Sequence, residues 1–241
     1  MEWQGAAVTS FFKKILGQPS AELPGWLKSQ QDLKKRFDPK SGISETDFVA
    51  FDTELTGLDF KQDSIISIGA VKLRGQTILP AKTFYRLVKP ECELKHKSVV
   101  VHELTHTDLE CAEDLLDVIA DFVKFIGGAV LIGHFVHIDL NFVNKPLQKA
   151  FGVSLKNPAL DTSTLHDWLY DNDSRFARHY KGMTMKSDLF SMAKKYGVDG
   201  GKAHNAFSDA YITAQLFQRF APFLPGCGIK TLKELLKIAR P

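Results

Sequence analysis

The chain has 241 residues, enough for one domain with extensions or for two small ones, and long enough to bury a full hydrophobic core. Hydrophobic residues make up 44% and charged residues 24%, which excludes a disordered chain, a collagen-like fibre and a pure coiled coil. A net charge of +3 permits a polyanionic partner without demanding one.

In chain order, residues 1–44 read as a helical extension. Phe11-Phe12-Lys13-Lys14-Ile15-Leu16 is a short amphipathic piece stopped by Gly17; Pro19, Pro24 and Gly25 then break the chain, and Trp26 to Phe37 suits a second, basic helix. Such an arm packs on the main domain or docks a protein partner or membrane surface. From Asp47 the pattern changes. Phe48–Phe51, Ser64–Leu73 and Thr83–Val88 are rich in strand formers and closely connected, which predicts an antiparallel meander. Glu113 to Ile126 has a helical apolar stripe ended by Gly127-Gly128, and Ala129–Ile132 reads as a buried strand. Ile138–Phe151 is predicted helical with an interruption near Pro146. Leu160–Thr162 is a short strand leading into a helix to about Tyr170. Ser187–Tyr196 and Ala206–Phe220 are further helices, and residues 223–241 hold a C-terminal helix. Strands alternating with helices after a meander predict an α/β fold with a mixed sheet.

Neither a membrane span nor a secretory signal is expected: apolar runs fall short of about 18 residues, and the amino terminus lacks the basic–apolar–small order. Cys92, Cys111 and Cys227 are scattered, so neither a disulfide framework nor a zinc ribbon is expected, and the cytoplasm is the expected compartment.

The chemistry lies in carboxylates. Asp52 and Glu54 directly follow the first strand, and residues i and i+2 of a strand share a face with Cα atoms roughly 6.6 Å apart. Two such carboxylates repel unless a cation lies between them, and an all-oxygen set suits magnesium or manganese; for a D-x-E pair taken alone, a solvated strand end is the more frequent explanation. Thr56-Gly57-Leu58 follows as a tight turn. Asp139 comes after the strand–Gly133–His134 lead-in, where an N-cap role competes with a site role. Asp209 lies on the inward stripe of its helix. On one helix His204 would stand about 140° away, so the two converge only if His204 lies in the loop before it. Gly197, Gly200 and Gly201 make that loop plausible, and a mobile imidazole there suits proton transfer near neutrality.

Phe51-Asp52-Thr53-Glu54-Leu55-Thr56-Gly57-Leu58, Gly133-His134 through Asp139, and His204-Asn205-Ala206-Phe207-Ser208-Asp209-Ala210 stand in the order and spacing of three exonuclease motifs. Over about residues 46–222 the chain resembles the DnaQ-like DEDD superfamily of 3′–5′ exonucleases, in its histidine branch, which includes the epsilon proofreading subunit of bacterial DNA polymerase III. Ile68-Gly69-Ala70-Val71 and Leu160-Asp161-Thr162 resemble further landmarks; Ile138 departs from the phenylalanine common before the aspartate. The resemblance implies an RNase H-like five-stranded mixed sheet flanked by helices, an exonuclease domain over 45–222, and two divalent ions, Mg2+ or Mn2+. It implies that Asp52, Glu54 and Asp209 hold one ion, with Asp52 bridging to a second held by Asp139, and that His204 takes a proton from the attacking water. Thr56, Gly57, Leu58 and, less directly, His134 are implied to contact the terminal nucleotide. The implied substrate is the 3′ end of nucleic acid, single-stranded or frayed, with DNA favoured and RNA the alternative. Phe60 and Phe135 are read as core residues, with base stacking as their second role.

A competing motif is His102-Glu103-Leu104-Thr105-His106, the H-E-x-x-H pattern of zinc metallopeptidases. It needs a helix, yet Val99-Val100-Val101, Thr105 and Thr107 are poor helix formers; no glycine or third histidine follows at the extended-motif spacing, and after Glu113 no glutamate comes until Glu234, so a glutamate ligand on the next helix is missing. A non-catalytic nucleic-acid-binding module is a third reading, opposed by the presence of all five catalytic positions.

Overall fold

Alternating apolar side chains along Asp47–Leu55 build the central strand β1. Phe48 and Ala50 point into one core and Val49 and Phe51 into another, on opposite sides of the sheet. The computed structural model describes residues 23–33, 38–90, 109, 111–179, 188–198 and 205–241. Within them, helix α1 (Gly25–Gln31) precedes β1, followed by β2 (Ile65–Arg74) and β3 (Thr77–Leu87). Helix α2 (Leu115–Ile126), β4 (Val130–Gly133), α3 (His137–Phe151), β5 (Ala159–Asp161) and α4 (Thr162–Asn172) come next. The remainder is helical: α5 (Ser174–His179), α6 (Leu189–Lys195), α7 (Ala206–Phe220), a 3-10 segment over Ala221–Cys227, and α8 (Leu232–Ile238).

The five strands lie in the order β3-β2-β1-β4-β5. β1, β2 and β3 pair antiparallel, while β4 and β5 pair parallel to their neighbours. This is the expected mixed sheet with its leading meander. Helices α2 and α3 cover the Val49–Phe51 face, and α7 with α4, α6 and α8 covers the Phe48–Ala50 face.

Three elements differ from expectation. β3 begins at Thr77 rather than Thr83, because the register jumps from Val71↔Thr83 to Lys72↔Leu79 and leaves Pro80, Ala81 and Lys82 bulged on an edge strand. Proline cannot donate to a ladder, so an edge bulge is where it fits. Helix α3 continues through Pro146 instead of stopping there, and the ring is buried in the inward face. The strand after Pro158 ends at Asp161, whose side chain accepts hydrogen bonds from Ser163 N and Thr164 N and so starts a helix one residue early.

Of the amino-terminal extension, residues 23–33 and 38–44 are described. Leu27 is fully buried in the core shared with α2 and α3, and Gln30 Nε2 donates to Gly127 O. Phe11–Leu16 and the end of the Trp26–Phe37 segment lie outside the described residues. So do His102–His106, His204 and the glycines Gly200 and Gly201. At the other terminus Leu232 and Leu235 are buried, and Asp161 N donates to Ala239 O. No helix among the described residues is long and apolar enough to cross a membrane.

Candidate active site

Asp52 and Glu54 lie inside β1 rather than just beyond it. They extend the face that carries Phe48 and Ala50, which is the face covered by α7. Asp209 stands in the first turn of α7. The three residues can each offer a carboxylate oxygen such that all lie within 4.8 Å of one another, with Glu54 and Asp209 buried and Asp52 half-buried. Burial, then the charges of Asp139, Glu54 and Asp209, push the Asp52 carboxyl well above the usual carboxylate range. Such a crowded, all-oxygen donor set fits a hard divalent cation.

Gly69 explains how α7 reaches this position. It is the register partner of Asp52 on β2, and a methyl group built on it would overlap the Ala206 carbonyl and Phe207 N. The helix backbone therefore rests directly on the sheet beside Asp52. Asn205 fixes the helix start, its Oδ1 accepting from Phe207 N at 3.1 Å and Ser208 N at 3.2 Å. The Gly69→Ala overlap is backbone against backbone, so no rotamer change relieves it. Overpacking of this kind costs about 1–3 kcal/mol. The helix must lift and carry Asp209 with it. Gly69→Ala is therefore expected to lower Tm by several degrees and to shrink the additional rise produced by Mn2+. Melting with and without Mn2+ checks both; an unchanged Mn2+ shift would show that α7 had not moved.

Asp139 comes from the opposite face of the sheet. It does not cap α3, whose N-cap is Val136 with no side-chain bond. Instead its Oδ1 accepts from Thr53 N at 2.9 Å and from Thr53 Oγ1 at 2.6 Å. Burial raises its pKa to about 7 against the lowering effect of those two bonds. Asp139 thus stands beside the carboxylate group without joining its 4.8 Å cluster, although its charge is the largest electrostatic influence on Asp52. Asp161 positions the lead-in, since its Oδ2 accepts from Val136 N at 2.8 Å.

The turn after β1 is organised by Asp63, which is 2% exposed. Its carboxylate accepts from Thr56 Oγ1 at 3.0 Å and Asp59 N at 2.8 Å, and it lies where a Gly57 side chain would be. Thr56 is thereby buried and turned inward, while Leu58 is 75% exposed. His134 is buried, with Nδ1 2.9 Å from Thr162 Oγ1, and that hydroxyl donates to Gly133 O at 3.1 Å. Phe135 adopts a left-handed φ of 55° and is half-buried. Phe60 corrects the expectation of a core residue: it is 47% exposed. Thr53 and Asp63 gave no separate signal in the sequence, whereas Gly69 and Asp161 fall in segments that stood out as landmarks.

A mixed sheet ordered 3-2-1-4-5 with buried carboxylates converging from β1 and two helices defines an RNase H-like nuclease fold. The family model described as Exonuclease (RNase_T) matches residues 49–217, and the chain belongs to that exonuclease family. It is 31% identical over 198 residues to the PolC-type DNA polymerase III of Thermotoga maritima, covering 82% of this chain but 14% of that protein. It is 28% identical to the DNA polymerase III subunit epsilon of Aquifex aeolicus, over 86% of this chain and 89% of that one. The chain thus spans about one seventh of the PolC-type relative. Among solved structures, Exonuclease X in complex with 5′ overhanging duplex DNA superposes with a TM-score of 0.57 at 19% identity, covering 79% of this chain and 98% of that one. E. coli Exonuclease I with a dT13 oligonucleotide gives 0.62 at 15% identity, over 76% and 42%.

Proposed function

We propose that this protein is a metal-dependent 3′–5′ exonuclease acting on single-stranded or frayed DNA ends and releasing nucleoside 5′-monophosphates. The observation that carries the reading is the carboxylate cluster of Asp52, Glu54 and Asp209 with Asp139 beside it. Asp52, Glu54 and Asp209 would hold one divalent ion and Asp139, released from Thr53, would help hold a second, Mg2+ or Mn2+. When bound, such ions activate a water and neutralise charge building on the scissile phosphate. His204, which precedes the Asn205 cap, accepts the proton of the attacking water. The P–O3′ bond breaks, leaving a 5′-phosphate on the released nucleotide and a new 3′-hydroxyl on the strand. Leu58, exposed on the braced turn, meets the terminal base, and backbone groups near Gly57 meet its sugar. His134, hydrogen-bonded to Thr162, supports the nucleotide site from below.

The preference for DNA over RNA is supported by the DNA polymerase III relatives and by the DNA-bound structural neighbours. Residues 1–44 are the proposed contact for a protein partner. Degradation of 5′-end-labelled single-stranded DNA, duplex DNA and short RNA, side by side in Mg2+ and in Mn2+, tests the reading. A ladder shortening from the 3′ end, fastest on single-stranded DNA, is expected. Faster turnover of RNA would make the protein an exoribonuclease, and zinc-dependent peptide hydrolysis without nuclease activity would return the site to His102–His106.

A further inference from the structure

Phe60 is a large apolar side chain left 47% exposed on the loop that follows the strand of Asp52 and Glu54. Its ring is held rather than loose. It meets the buried Phe142 edge-on, with centroids 5.7 Å apart and planes at 74°, and Lys145 Nζ lies 5.5 Å from its centroid. Lys145 also pins the loop beneath, donating to Asp63 O at 2.9 Å and Lys61 O at 3.5 Å. Phe142 stands three residues after Asp139 on α3, about 4.5 Å along the helix axis. Phe60 is thus a fixed aromatic surface packed on a side chain three residues beyond Asp139 in the same helix, and it shares a loop with Leu58. Lys145 lies over the ring and Lys61, the residue after Phe60 in the chain, is exposed beside it, so the platform carries positive charge.

We propose that Phe60, braced by Lys145 and Phe142, is a stacking platform for the nucleobase next to the terminal one, with the neighbouring lysines meeting the strand's phosphates. A fixed ring among cations suits an unpaired base flanked by phosphates better than an apolar protein surface, since every base offers a π face and each link of the strand carries a negative charge. The proposal rests on the exonuclease reading and adds a subsite that a single nucleotide cannot fill. A paired base would not be free to stack there, so the platform also favours single strands.

Two substrates separate the subsite from the chemistry: a dT oligonucleotide, and the p-nitrophenyl ester of thymidine 5′-monophosphate, which has no second base. Phe60→Ala is expected to raise KM for the oligonucleotide about 5–150-fold, the ratio that corresponds to roughly 1–3 kcal/mol of stacking. The loss should be at least fivefold larger than on the ester, and Phe60→Tyr should restore the oligonucleotide KM. Equal losses on both substrates, or an unchanged oligonucleotide KM, would overturn the proposal. Phe60→Trp supplies a readout free of turnover: its added fluorescence should be quenched by the dT oligonucleotide in Ca2+ and not by thymidine 5′-monophosphate. Quenching by neither would overturn the subsite even if the enzyme is active. A wild-type protein that hydrolyses neither substrate while Phe60→Trp is quenched would instead overturn the exonuclease reading and leave a binding surface.

Discussion

Asp52→Asn is expected to lower kcat by more than about 10³-fold, because metal-ion stabilisation of the transition state is worth several kcal/mol and each 1.4 kcal/mol is a factor of ten. The same change should stabilise the protein when metal is stripped with EDTA. In the folded chain Asp52 is held well above its usual pKa by burial and by Asp139, Glu54 and Asp209, and Asp139 is raised to about 7. Between the unfolded carboxylate pKa, about 3.9, and the raised folded values, the native state binds more protons than the unfolded chain. Stability without metal must therefore fall as pH rises through that window, and the loss is complete only above the folded pKa values. Asparagine removes the Asp52 part of this loss, so the Tm advantage of Asp52→Asn should be absent near pH 4 and grow towards pH 7. Adding Mn2+ should reverse the order, since the ion binds the native wild-type site and not the unfolded chain. Melting curves across pH, with and without Mn2+, check this. A variant less stable than wild type at pH 7 in EDTA would mean that Asp52 holds the fold together rather than a metal.

His204→Ala is expected to lower turnover about 10²–10⁴-fold, the range of a general base. Metal-induced stabilisation should be nearly unchanged, because His204 is not proposed as a ligand. The base must be neutral to accept a proton, so the wild-type rate should climb as pH rises through the imidazole pKa and then level off. Waters on the metal titrate as well, so the difference between wild type and variant carries the test: the variant should lose the imidazole limb. His204→Gln keeps bulk and hydrogen bonding but cannot take the proton at neutral pH, and should be nearly as slow as alanine. Wild-type rates in both variants, with chemistry shown to limit turnover, would remove His204 from the mechanism.

The sheet and its carboxylates were legible because their signals are local. The i, i+2 spacing of Asp52 and Glu54 already implies a shared face, and the inward stripe of Ala206–Phe220 already implies that Asp209 points at the sheet. What joins distant segments was not legible. Nothing around Thr53 announces that its hydroxyl and amide hold Asp139, 86 positions away. Gly69 reads as a strand glycine, and only the packed helix shows that a backbone lies against it. Asp63 looks like one more loop acid until Thr56 and Asp59 are seen to converge on it. Phe60 fits a core residue by composition alone; it is exposed because Phe142 already fills the space beneath it. Pro146 reads as a break, yet it sits in a helix whose buried face accepts its ring.

The central claim is that the carboxylates from β1 and α7 form a metal site at which a nucleotide is cleaved. Anomalous diffraction from crystals soaked in Mn2+ and thymidine 5′-monophosphate measures it most directly. The expected result is a manganese peak enclosed by the side chains of Asp52, Glu54 and Asp209, with the nucleotide phosphate against it. Saturating Mn2+ with no peak among these three carboxylates, or an ion held instead by His102 and His106, would contradict the account.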